Sequence, residues 1–129
     1  MPQVIIIAKC YPTEDPDKLR KAILNIFPLS QPELYEGEMR AETEDLSRFM
    51  ELIRNHRILD STRQVMLKGI EGNSTRFTLN KQAAFVGKVS FLEERVALGG
   101  ISVIIEDDEL QALIDRVAPV TVNGEEVKR

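Results

Sequence analysis

A chain of 129 residues with 43% hydrophobic and 29% charged side chains has ordinary globular composition, which excludes a disordered, collagen-like or disulfide-rich protein. Its single cysteine, Cys10, cannot form an internal disulfide, so packing must hold the fold and a reducing compartment is expected. A formal charge of -4 argues against a nucleic-acid binder on average, but the charge is uneven. Between Arg54 and Lys88 stand seven basic and two acidic residues, a local balance of +5, which leaves -9 for the rest of the chain.

The chain opens on "VIIIAKCY", whose unbroken, β-branched apolar run predicts a central strand buried on both faces. It is too short for a signal peptide, and no apolar run reaches the ~18 residues of a membrane span, so a cytoplasmic protein is expected. In "TEDPDKLRKAILNIFP", Asp15 reads as the N-cap and Pro16 as the first helical residue. Leu19, Ala22, Ile23, Ile26 and Phe27 form the apolar stripe, and Pro28 stops the helix. "ELYEGEMRA" alternates like a half-exposed strand. Thr43 is the expected cap of the next helix, with Leu46, Phe49, Met50 and Ile53 inward.

The path through "RNHRILDSTRQVMLK" has two readings. One unbroken helix would align Arg54, Arg57, Ser61, Gln64 and Lys68 on a single face, a row able to follow a phosphate backbone. The favoured alternative is a break, with Asp60 capping a fresh helix that Gly69 ends and with Asp60 free to pair with Arg57 or Arg63. "EGNS" is turn chemistry, and in the strand after it Phe77 and Leu79 face inward while Arg76 and Thr78 face out.

"LNKQAAFVGKVSF" then predicts a short helix capped by Asn80 and ending near Gly87, followed by a strand with Val89 and Phe91 inward and Lys88 and Ser90 outward. Lys81 at the first helical position opposes the helix dipole, so it helps the free N–H groups of that turn hold an anion, projects into water, or pairs internally with a carboxylate such as Asp60. A loop with Gly99 and Gly100 leads to the strand "ISVIIE". A last helix, starting near Asp107, carries Leu110, Leu113, Ile114 and Val117 and ends at Pro119.

The order β-α-β-α(α)-β-α-β-β-α predicts one α+β domain over residues 1–129, weakly specified after about residue 119. Its two layers are a mixed, mostly antiparallel sheet and helices packed on one of its faces, which leaves the other face wet or covered by a partner.

Catalytic and metal-binding patterns are weak. His56 is the only histidine, no ligand spacing surrounds it or Cys10, and Asp107, Asp108 and Glu109 fit a helix start. No Walker loop or dinucleotide fingerprint occurs, so neither cofactor nor metal is expected. The basic segment instead suggests an RNA or anion surface made of Arg54, Arg57, Arg63, Lys68, Arg76, Asn80, Lys81, Gln82 and Lys88. Its lack of aromatics favours phosphate and sugar contacts over base stacking.

"YPTEDPDKLRKAILNIFP", "ILDSTRQVML", "LNKQAAFVGKVSF" and "LGGISVIIEDDELQALIDRVAPVT" together resemble an archaeal family of small proteins labelled predicted RNA-binding and proposed as exosome-associated subunits. The resemblance covers nearly the whole chain. It implies a cytoplasmic, non-enzymatic protein with a fold similar to the large-subunit ribosomal protein that grips 5S rRNA, and RNA as partner, with RNA-processing proteins as further partners. It carries no catalytic residues. As candidates it carries Arg57, Asp60 and Arg63 from the second stretch and Asn80, Lys81 and Gln82 from the third. The alternative function is a protein-interaction module of an RNA-processing assembly that does not itself touch RNA.

Overall fold

A computed structural model describes residues 2–92, 99–122 and 125–126. The apolar run at the start forms β1 (Gln3–Lys9), and the extended Asp15 then caps α1 (Pro16–Ile26), its carboxylate accepting the Asp17 N–H at 2.9 Å. "ELYEGEMRA" is two strands rather than one, β2 (Glu33–Tyr35) and β3 (Glu38–Thr43). Glu36 and Gly37 both take positive φ, at 50° and 78°, which is the two-residue hairpin geometry whose twist matches that of the flanking strands.

α2 (Ser47–Asn55) does not use Thr43 as its cap. Thr43 instead accepts the Asp45 N–H, and Asp45 accepts the Ser47 N–H at 2.8 Å, so capping passes to Asp45. The hydrogen bonds from Ser47 hold the Asp45 carboxyl below its ordinary pKa. Arg57, with φ at 56°, turns the chain into α3 (Leu59–Lys68), so the helix breaks before Asp60 and the five-residue row along one helix does not form. Asp60 lies in the first turn of α3 and is not its cap; its carboxylate accepts the hydroxyl of Thr121. Gly69 ends α3, and a Cβ there would lie 2.1 Å from the Arg76 carbonyl oxygen, so the close crossing requires glycine.

β4 (Ile70–Glu71) and β5 (Ser74–Leu79) form the hairpin that the "EGNS" turn predicted, and α4 (Lys81–Phe85) follows with Asn80 accepting the Ala83 N–H at 3.0 Å. Of "KVSFL" only β6 (Phe91–Leu92) is a strand; Val89 is buried, whereas Lys88 and Ser90 lie outside the sheet. Most of the loop before Gly99 falls outside the described residues. β7 (Ile101–Glu106) leads to α5 (Leu110–Val117), which starts three residues later than expected because the Asp107 carboxylate turns back to accept the Glu109 N–H at 2.8 Å. A small hairpin of β8 (Thr121–Val122) and β9 (Glu125–Glu126) follows.

Among the described residues the main sheet has the order β2-β3-β1-β7-β5-β4, with β6 also on β5, and every pairing is antiparallel. The architecture is α+β. Register sets the faces: Val4, Ile6, Ala8, Met39, Ala41, Phe77, Leu79, Ile101, Val103 and Ile105 share one face and are buried beneath the helices. Phe27, Phe49 and Phe77 stack with centroids 5.9 and 5.6 Å apart, and Phe91 meets Phe77 edge-on.

The other face carries no helix among the described residues. There β1 is central, as its apolar run predicts, but it is buried on one face only: Ile5 and Ile7 are half-buried beside Ile104 and Ser102. No helix among the described residues is long and apolar enough to cross a membrane.

Candidate nucleic-acid interface

The basic segment separates into groups with different surroundings. α2 and α3 direct Arg54 and Arg63 at the end of α5. The Arg54 guanidinium donates to the carbonyls of Met50, Val117 and Arg116, each at 3.3 Å. Arg63 donates to the Ala118 carbonyl at 3.1 Å and pairs with Asp115 at 2.8 Å. Both cations thereby answer the unpaired carbonyls and negative dipole end of a helix C-terminus, which is a structural task. Neither shares a helix face with Lys68 in the row that an unbroken helix would have formed.

Lys81 is engaged as well. α4 packs against α1, and the Asn25 amide donates to the carbonyls of Ala84 and Phe85 at 3.0 Å each, fixing the short helix. The Lys81 ammonium then reaches back across the top of β1. It donates to the Glu14 carboxylate at 2.9 and 3.1 Å and to the Lys9 carbonyl at 2.6 Å, and its Nζ lies 5.3 Å from the centroid of the Tyr11 ring. Its side chain is 13% exposed. Burial acts to raise the Glu14 carboxyl, but the Tyr11 N–H and the Lys81 ammonium outweigh it and hold the group below its ordinary pKa.

The sequence left an anion, open water or an internal carboxylate such as Asp60 as the neighbour of Lys81. The structure selects the internal carboxylate, but it is Glu14, from the loop before α1, rather than Asp60, so the lysine closes an internal clasp. Asn80, also a candidate contact, spends its side-chain oxygen on the Ala83 N–H.

Arg57, Lys68, Arg76, Gln82 and Lys88 are exposed, and their side chains make no hydrogen bond or ion pair to the described residues. They occupy different places. Arg57 is at the α2–α3 turn and Lys68 at the end of α3. Gln82 lies in the first turn of α4 and Lys88 just beyond its end, where the Lys88 N–H donates to the Ala83 carbonyl. Arg76 is on the open sheet face, and its N–H donates to the Gly69 carbonyl, which brings the backbone beside Lys68 close to it. That face is mixed in charge: β1, β3, β5, β7 and β2 place Lys9, Arg40 and Arg76 on it with Glu33, Glu38, Glu42 and Glu106. His56 is exposed, and no three His, Cys, Asp or Glu side chains among the described residues gather as a metal site.

Comparison with known proteins adds a family. Residues 3–106 match a family model described as RNA binding. The UPF0201 protein MJ1564 of Methanocaldococcus jannaschii is 43% identical over 95% of this chain and 75% of its own length, and a UPF0201 protein of Metallosphaera sedula is 36% identical over 96% and 92%. A crystal structure of a UPF0201 protein from Methanococcus jannaschii superposes with a TM-score of 0.90 at 42% identity, covering 98% of this chain and 99% of that one.

Proposed function

The chain belongs to the archaeal UPF0201 family, whose matching model is described as RNA binding, and on that premise we propose that it is a non-enzymatic protein that binds structured RNA through phosphates and sugar hydroxyls. The family match carries the reading. The geometry narrows the residues that can serve it, since Arg54, Arg63 and Lys81 are occupied within the fold. Arg57, Lys68, Arg76 and Lys88, with the Gln82 amide, are the candidate side chains presented outward; Arg76 stands among the acids of the open sheet face, and Arg57, Lys68 and Lys88 supply the charge away from it. No aromatic platform accompanies them, so recognition rests on backbone and shape rather than on stacked bases.

Binding of folded archaeal RNA, followed by fluorescence anisotropy at two salt concentrations, should weaken steeply as salt rises. Replacing Arg57, Lys68 and Lys88 together by alanine should lower affinity at low salt and flatten the salt slope by roughly two to three units. Absence of binding at low salt would refute the proposal.

The open sheet face favours a second reading, a protein-interaction module of an RNA-processing assembly without direct RNA contact. Its three isoleucines and its excess of acids suit a protein better than a phosphate chain. Partners that co-purify equally with and without nuclease would support it.

A further inference from the structure

We propose that the open face of the sheet pairs with the same face of a second copy of this chain, related by a two-fold axis lying between the sheets and running along the strands between β1 and β7. Cross-strand register gives two four-residue rows on that face, the first being Glu42 of β3, Ile5 of β1, Ile104 of β7 and Arg76 of β5. Read across the sheet, the row is acid, apolar, apolar, base.

A rotation about an axis along the strands reverses the order. It lays Ile5 over Ile104 of the second copy, Glu42 over its Arg76, and Arg76 over its Glu42. The adjacent row, Arg40, Ile7, Ser102 and Thr78, then sets Ile7 over Ser102 and Arg40 over Thr78, which brings no like charges together.

The choice of axis has a second support. An axis across the strands, centred on the row, would set Glu42 over Glu42 and Arg76 over Arg76, which is repulsive. Shifted by half a row, it would set Glu42 over Arg40, but Arg40 already stands opposite Glu33 in its own sheet. Directly opposite Arg76 stand only Ile104 and the Gly69 backbone, and its side chain is exposed. Of the basic groups on this face, Arg76 is therefore the one with no acid directly across from it, Glu71 and Glu106 standing only on its diagonals.

β-Branched side chains at the centre of a twisted antiparallel sheet suit face-to-face packing about 10 Å apart. The face carries five acids, Glu33, Glu38, Glu42, Glu71 and Glu106, against three bases, which disfavours RNA as its occupant. A patch this narrow belongs to the small end of specific interfaces, so dissociation constants in the micromolar range are expected.

Sedimentation of the full chain from about 1 to 300 µM tests the pairing, because a micromolar dimer dissociates across that span. A monomer–dimer equilibrium is expected. Arg76→Glu and Glu42→Arg, both at exposed positions, should each weaken it tenfold or more, and the double swap should restore it. A chain that stays monomeric throughout overturns the proposal. So does a dimer indifferent to Arg76→Glu, or single variants that weaken it without rescue by the double swap. Loss of RNA binding in Arg76→Glu without any change in association would assign the face to RNA and overturn the pairing as well.

Discussion

The two faces of the sheet are made by the same strands with alternate residues, yet they solve different problems. On the helix face Val4, Ile6, Met39, Val103 and Ile105 are all fully buried, and Phe49 joins Phe27 and Phe77 in one aromatic stack. On the open face the matching positions are Ile5, Ile7, Ile104 and Ser102, half-buried and flanked by charge. Apolar content hardly distinguishes the faces along β1; what distinguishes them is whether helices lie over it. Burial thus marks the face that holds the fold, and chemistry at the margins marks the face available for recognition.

The strongest way to break this comparison is to cut equal volumes from both faces. Ile6→Ala empties a fully buried site on the helix face and should destabilise by about 2–5 kcal/mol in chemical denaturation. Ile104→Ala, measured where the chain is monomeric, should cost about 1 kcal/mol, because part of its surface stays in contact with water. Equal losses would mean that the open face is covered in the isolated chain.

The comparison extends to the cations. Arg63 ties α3 to the end of α5 through the Ala118 carbonyl and Asp115, and its replacement by alanine leaves a helix terminus short of a partner. A loss of about 1–3 kcal/mol is expected. Lys68→Ala, by contrast, should stay within about 0.5 kcal/mol in the same denaturation series. If both variants behave alike, Arg63 is as free for RNA as Lys68, and the division between structural and outward-facing cations fails.

Much of the fold was legible because its causes are local. Asp15 capping α1, the helical stripe of Leu19 to Phe27, Asn80 capping α4 and the inward Phe77 all follow from spacing within a few residues. The misread features depend on what arrives from elsewhere. Ile5 and Ile7 look fully buried until it is known that helices cover only one side of β1. Arg54 and Arg63 look like free phosphate contacts until α5, some 60 residues later, brings its carbonyls to them. Two signals were present but outweighed. Glu36 and Gly37 could have shown the β2–β3 hairpin, and Asp45, two residues before Ser47, could have competed with Thr43 for the α2 cap. Glu14, whose carboxylate holds Lys81 from 67 residues away, left no local trace.

That clasp gives a small effect and the most specific readout. The pKa of Glu14 is lower in the folded chain than in the unfolded one, so the pair contributes stability that is fully present above the ordinary carboxylate value of about 4.5 and is lost as pH falls through the folded value. Lys81→Met removes the ammonium, keeps the aliphatic stem against Tyr11, and leaves Glu14 with its Tyr11 N–H. At pH 7 the variant should lose about 1 kcal/mol, since the carboxylate is partly exposed and screened. As pH falls through the folded value of Glu14, its stability should converge on that of the unmodified chain, because the protonated Glu14 no longer rewards the lysine. Urea denaturation of both proteins from pH 7 to pH 3 measures the difference directly. A gap that persists unchanged at pH 3 would show that Lys81 acts through the Lys9 carbonyl and the Tyr11 ring rather than through its carboxylate.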